Sequence, residues 1–218
     1  MKLLLTSSGI TNKSITQALF ELVGKAPVDT SLVFIPTASN VEHGDKEWFI
    51  NDLVNLQNLN LKQIDIADIS AVDETVWKQK FEETDILFFE GGNTYHLMEW
   101  IRKSGLKKML PKLLETKVYV GVSAGSMVTN KNLLLPISQV VYGEDLDKTE
   151  EMAGLNLVDF YILPHLNNEY FTGVRKENIE KAIKDMKEKI YVLDDNSALK
   201  VVDGKVDIVT EGEYLEFN

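Results

Sequence analysis

Three stretches of this chain are apolar at every position: Leu3-Leu4-Leu5, Leu32-Val33-Phe34-Ile35 and Ile86-Leu87-Phe88-Phe89. A strand wetted on one face alternates apolar with polar, whereas one covered on both faces has no reason to. Each stretch is followed by a turn signal and then by residues at helical spacing. Helices packed on both sides of a parallel sheet explain that order, because parallel strands need crossover connections. The expected fold is therefore α/β, a mostly parallel sheet flanked by helices, in one domain over residues 1–218.

The helical intervals carry their own marks. Ser14-Ile15-Thr16-Gln17 reads as a capping box, with Ile15, Leu19, Leu22 and Val23 as one face before Gly24. Trp48, Phe49, Leu53 and Leu56 fit a second helix, residues 61–66 a strand, and a Glu- and Lys-rich segment before Asp85 a third helix. Leu97, Met98 and Ile101 continue as a helix, as do residues 106–114. Later, residues 133–137 and 140–142 look extended, with an acidic loop over 144–147. Residues 160–163 form a strand running into Pro164-His165, and Ile179, Ile183 and Met186 mark a helix. Val192-Leu193 then leads into Asp194-Asp195. The tail, with Asp203-Gly204 between valine-rich runs and Glu211-Gly212 further on, reads as antiparallel hairpins at the sheet edge.

Between Val118-Tyr119-Val120 and a helix lies Gly121-Val122-Ser123-Ala124-Gly125, a Gly-x-Ser-x-Gly pattern. Glycines without Cβ let a strand turn sharply into a helix, and a serine at the bend projects its hydroxyl clear of the backbone. The Ala124 amide, opening that helix, can donate to a developing oxyanion. A packing turn or a phosphate loop would use the same small residues, so the surroundings must decide. In open parallel sheets, sites gather at the carboxyl ends of strands. Four signals fall at such ends: residues 36–40, Glu90-Gly91-Gly92-Asn93, Ser123 and His165.

A serine nucleophile needs a base, and the chain has three histidines. His165 directly follows a strand. His43, in a polar loop on the same rim, is a weaker competitor, and His96 lies inside a helix, where a packing or surface role explains it. The base needs a carboxylate to orient it. Asp195 and Asp194 close the strand ending at Leu193, while Glu144 and Asp145 are rivals in a loop of unknown position. Gly91-Gly92 can bring backbone amides to a substrate carbonyl as the second oxyanion donor, with Asn93 as the following N-cap.

The net charge of -11 argues against nucleic acid as a partner, and the absence of cysteine removes disulfides, thiolate metal sites and a cysteine nucleophile. The histidines are not spaced as a metal set. The opening apolar run ends at Thr6 and Ser7, too short for a signal segment, and no stretch approaches the roughly 20 apolar residues of a membrane span. A cytoplasmic protein without membrane contact is expected.

Phe88-Phe89-Glu90-Gly91-Gly92-Asn93-Thr94, Gly121 to Ser126 and Leu163-Pro164-His165, in that order and spacing, resemble the peptidase E family of serine peptidases. These are aspartyl dipeptidases with cyanophycinases among their relatives, and the likeness runs from the first strand to about Asn196. The resemblance implies a class I glutamine amidotransferase-like fold with serine in place of cysteine. It also implies a triad in the order Ser, His, acid. Ser123 and His165 match the nucleophile and base; the family's glutamate falls in Leu193-Asp194-Asp195-Asn196, where Asp195, one methylene shorter, is the best match. Gly92 and Ala124 would carry the oxyanion amides.

Two positions concern substrate. Leu134, in Asn132-Leu133-Leu134-Leu135-Pro136-Ile137, stands where the aspartyl dipeptidases carry an acid, and Arg175, in Gly173-Val174-Arg175-Lys176, lies at a plausible spacing for the arginine with which the family holds the substrate carboxylate. A surface arginine opening a helix is the plainer reading of Arg175. The resemblance thus implies a serine peptidase acting on short peptides through an acyl-enzyme, as a monomer or homodimer, with no cofactor and no metal. A catalytically silent relative binding a small amino-acid-like ligand is the alternative. Amidotransferase-like glutamine hydrolysis is set aside for want of cysteine.

Overall fold

The structure, a computed structural model, describes residues 1–133, 135–143 and 152–218. Its first part alternates strand and helix: β1 (Lys2–Thr6), α1 (Lys13–Val23), β2 (Ser31–Ile35), α2 (Glu47–Asn58), β3 (Gln63–Ile66), α3 (Glu74–Glu83) and β4 (Ile86–Phe89). α4 (Thr94–Lys103), α5 (Leu106–Leu113), β5 (Val118–Val122) and the single turn α6 (Ala124–Met127) follow. The remainder comprises α7 (Leu135–Tyr142), β6 (Tyr161–Leu163), α8 (Lys176–Ala182), β7 (Ile190–Leu193), β8 (Ser197–Val202), β9 (Lys205–Thr210) and β10 (Tyr214–Phe217).

The central sheet has the order β3-β2-β4-β5-β1-β8-β9. Its first five strands run parallel to one another; β8 is antiparallel to β1, and β9 antiparallel to β8. Side chains alternate across it with the period of two that strand geometry imposes. Leu3, Leu5, Val33, Ile35, Leu87, Phe89 and Tyr119 enter one core, and Leu4, Leu32, Phe34, Ile86, Phe88, Val118 and Val120 the other. Because both sides are occupied, the strands read as unbroken apolar runs. The β8–β9 hairpin turns on Asp203 (φ 49°) and Gly204 (φ 84°), two left-handed residues that suit the twist of a tight hairpin.

The last third departs from expectation in three ways. β6 and β7 do not extend the central sheet; they make a separate sheet in the order β10-β7-β6. One face of it packs with Ile137, Val141, Val174 and Ile179, while Ile162 and Leu193 join the central core. Consequently the tail divides between the sheets: β9 pairs with β8, but β10 runs antiparallel to β7 instead of forming a second edge hairpin. Residues 135–142 are helical where extended chain was expected. Their β-branched residues suit a strand intrinsically, but Pro136 sits in the first helical turn, where its missing N–H is no loss. Leu134 and the acidic loop residues Glu144 and Asp145 lie outside the described residues.

The α1 start also differs. Asn12, not Ser14, is the N-cap, its side chain accepting from the Ile15 amide at 2.9 Å. The end is as expected, with Gly24 in the left-handed conformation (φ 72°) and its N–H closing on Phe20 O.

Candidate active site

β5 delivers the chain to Ser123, whose φ of 45° and ψ of -105° lie outside the regions an L-residue ordinarily occupies. Strain of this kind costs on the order of 1–3 kcal/mol and needs surroundings that enforce it. The Ser123 amide donates to Thr6 O at 3.1 Å, and the Ser126 hydroxyl is 2.8 Å from Thr6 O and 2.9 Å from Gly121 O, pinning the bend to β1. Close approach explains both flanking glycines. A Cβ on Gly121 would sit 2.6 Å from Gly125 backbone atoms, and one on Gly125 would lie 2.1 Å from Phe89 O.

His165 leaves the end of β6 with φ 69° and is 9% exposed. Its amide donates to Ser7 Oγ at 2.8 Å. Its ring bridges two side chains from distant elements: Nε2 is 2.9 Å from Ser123 Oγ, and Nδ1 is 2.7 Å from Asp195 Oδ1. Asp195 also accepts from Ser7 Oγ at 2.9 Å and from Asn168 Nδ2 at 2.5 Å. Burial pushes the Asp195 pKa up, but the His165 bond and charge, with the Asn168 and Ser7 bonds, more than offset it and hold the carboxyl below its ordinary value. An ionised Asp195 can only accept, so Nδ1 carries the proton and Nε2 presents its lone pair to the Ser123 hydroxyl. The Phe171 ring stacks on the imidazole, with centroids 4.2 Å apart and planes inclined by 10°.

The neighbouring Asp194 faces elsewhere. Its oxygens take the Asn196 amide at 3.0 Å, the Ser197 hydroxyl at 2.5 Å and the Glu213 amide at 2.6 Å, tying the β7–β8 turn to the start of β10. His43 remains in an exposed loop, and His96 lies on α4 with its ring 6.3 Å from that of Trp100. The histidine hydrogen-bonded to Ser123 is His165.

The Gly91-Gly92 turn lies beside the bend: a Cβ on Gly91 would be 3.4 Å from Ser123 Cβ. Gly92 has φ 123°, and any Cβ there would lie 2.4 Å from Ala38 O, so this position requires glycine. Ser39 Oγ donates to Gly91 O at 2.7 Å and the Asn93 amide to Ala38 O at 2.9 Å, which seats the 36–40 loop against the turn. Asn93 Oδ1 caps α4 by accepting from the His96 amide at 2.9 Å. Among the described residues neither the Gly92 nor the Ala124 amide has an acceptor. Both are free to donate to a ligand atom.

Arg175 is occupied differently from the expected substrate anchor. Its guanidinium donates to Phe171 O (3.2 Å), Val174 O (3.0 Å) and Asn168 O (2.9 Å), bracing the loop that carries Asn168 and Phe171. Ser7, Asn168 and Phe171 were not singled out from the sequence. Ser7 carried a signal, being a small polar residue at the end of an apolar strand; Asn168 and Phe171 carried none. Among the described residues, no group of three or more His, Asp or Glu side chains is placed to hold a metal ion, and no helix is long and apolar enough to cross a membrane.

Comparison with known proteins converges on one family. The profile of Peptidase family S51 matches residues 3–209. An uncharacterized peptidase of Pasteurella multocida is 30% identical over 154 residues, covering 69% of this chain and 72% of that protein. Peptidase E of Escherichia coli is 26% identical over 186 residues, covering 84% of this chain and 76% of its own. In structure, a candidate peptidase E protein from Listeria monocytogenes EGD-e superimposes with a TM-score of 0.77 at 26% identity, covering 97% of this chain and 98% of that one. The chain belongs to peptidase family S51 and is a serine-type peptidase.

Proposed function

We propose that the chain hydrolyses short peptides through an acyl-enzyme formed on Ser123. The observation that carries this is the unbroken series from Ser123 Oγ to His165 Nε2 (2.9 Å) and from His165 Nδ1 to Asp195 Oδ1 (2.7 Å). As Oγ attacks the scissile carbonyl carbon, its proton passes to Nε2 and the carbonyl oxygen becomes an oxyanion. The Gly92 and Ala124 amides stabilise that charge. The tetrahedral species collapses as the imidazolium returns its proton to the leaving amine, and a water activated by the same nitrogen releases the acid. Asp195 stays ionised throughout, fixing the tautomer and stabilising the imidazolium. Phe171 adds the face of its ring to that cation.

Asp195 reaches Nδ1 although it is one methylene shorter than glutamate, which weighs against a catalytically silent binder. A preference for an acidic N-terminal residue is a separate matter. With the Arg175 guanidinium already donating to three carbonyls, selectivity broader than aspartyl alone is the reading favoured. A panel of Asp-X, Glu-X, Ala-X and Leu-X dipeptides, given to wild type and Ser123→Ala, tests both points. Hydrolysis of several members, abolished in the variant, is expected; equal turnover by Ser123→Ala would reject the mechanism.

A further inference from the structure

Directly before the Gly91-Gly92 turn stands Glu90, which is completely buried, and near it on α2 is Asp52, 7% exposed. Neither Glu90 oxygen has a hydrogen-bond donor among the described residues, and the nearby Gly91 amide does not close a well-formed bond to it. The two carboxyls lie near enough for each to act on the other. Two carboxylates resist being ionised together in such a place, shut off from bulk solvent and with no cationic side chain among the described residues to offset their charge. One proton held between them turns the repulsion into a hydrogen bond.

Among the described residues, no other charged group faces the pair from the elements around it. Residues 7–11, β2 and the Glu90 end of β4 contribute no other titratable side chain. On β5, Tyr119 points to the opposite core, where its hydroxyl donates to Gly125 O at 2.6 Å. Lys46, just before α2, donates to Ser39 O and Glu42 O, both at 2.7 Å, and Glu47 at the helix start is exposed.

The pair touches both loops on which Ser123 depends. Glu90 is covalently continuous with Gly91, where an added Cβ would lie 3.4 Å from Ser123 Cβ. Asp52 presses on Gly9: a Cβ on that left-handed glycine (φ 78°) would lie 2.5 Å from Asp52 Oδ1. Two residues earlier in the same loop, Ser7 holds both the His165 amide and Asp195.

We propose that Asp52 and Glu90 form a proton-sharing positioning pair that braces the Gly91-Gly92 turn and the 7–9 loop, and that loss of the shared proton at alkaline pH displaces both. Burial, followed for Glu90 by the Asp52 charge, raises both groups: Asp52 to about 6 and Glu90 well above its ordinary value. Both shifts favour keeping one proton within the pair at neutral pH. The positioning role rests on the function proposed for Ser123, but the state of the pair does not.

The test uses the intact chain in two parallel measurements over roughly pH 5 to 9. Carboxyl carbon and backbone amide NMR shifts follow Asp52, Glu90 and residues 7–9, 91 and 92 in wild type; a fluorophosphonate reports the rate of Ser123 modification. The pair is expected to hold one proton at neutral pH, and the loop amides to shift as that proton titrates. The modification rate should fall about tenfold per pH unit once the proton leaves. Glu90→Gln, with a neutral group of equal size, should lack that alkaline fall. Asp52→Asn, which removes the charge holding the proton on, should move the fall to lower pH. Two ionised carboxylates at neutral pH, or loop amides indifferent to the titration, would overturn the inference whether or not Ser123 reacts. An unaltered alkaline fall in Glu90→Gln would overturn it with the serine mechanism intact. An unreactive Ser123 with the expected NMR titration would instead overturn the function proposed for the serine.

Discussion

Replacing Asp195 by asparagine removes one charge and leaves the side chain's size unchanged, but every partner of that carboxylate is a donor. Oδ1 faces His165 Nδ1 at 2.7 Å and Ser7 Oγ at 2.9 Å, and Oδ2 faces Asn168 Nδ2 at 2.5 Å. If the new amide keeps its oxygen toward His165, its NH2 confronts the NH2 of Asn168. Asn168 cannot turn over freely, because its Oδ1 accepts from the Tyr170 amide at 2.7 Å and the Phe171 amide at 3.3 Å. If the NH2 turns toward His165 instead, the imidazole must place its proton on Nε2 and loses the lone pair facing Ser123. Either outcome removes the charge that stabilises the imidazolium. The expected loss in kcat is on the order of 10^4-fold, the scale of the same change in other serine peptidase triads. That is about 5.5 kcal/mol of transition-state stabilisation. Steady-state hydrolysis of the best dipeptide measures it, alongside circular dichroism to establish folding. A folded Asp195→Asn protein within tenfold of wild-type kcat would refute the orienting role.

Three further outcomes follow from the same geometry. Gly125→Ala places a methyl 2.1 Å from Phe89 O, so the bend must open; a stability loss above about 2 kcal/mol is expected in denaturant melts, and an unchanged midpoint would contradict the packing described. Arg175→Ala should lower kcat/KM for Asp-X and Ala-X dipeptides by similar factors, as loss of a loop brace would; a selective loss for Asp-X would return Arg175 to substrate binding. Asp52→Asn should change the pH dependence of stability. An acid whose folded pKa is raised stabilises fully below its unfolded value and loses that contribution as pH rises through the folded one, here from near 3.8 through about 6. The variant should therefore gain up to about 3 kcal/mol at pH 8 relative to wild type and gain nothing near pH 3. Equal gains at both pH values would refute the assignment.

What could be read from the sequence was what local sterics dictate. The Ser123 bend is legible because Gly121 and Gly125 are demanded by contacts within a few residues and with the adjoining strand. The parallel core is legible because strands covered on both faces lose their alternation. The periodicity could not say which layer covers a strand, so β6 and β7 read the same in a separate sheet as they would in the central one. Nor could it separate Asp194 from Asp195, adjacent acids whose directions are set by Glu213 on one side and by His165 and Asn168 on the other. Ser7 and Asn168, 188 and 27 residues from Asp195 in the chain, meet it only after folding. The misread extended segment at 135–142 shows intrinsic β preference yielding to tertiary packing, with Ile137 and Val141 buried against Val174 and Ile179.

The central claim is that Ser123 is made nucleophilic by His165. Stoichiometric reaction with a fluorophosphonate, followed by peptide mapping, examines it without knowledge of the substrate. The account predicts one adduct per chain, on the peptide bearing Ser123, and a rate that collapses in His165→Ala. An unmodified Ser123 at saturating reagent, or wild-type labelling in His165→Ala, would contradict it.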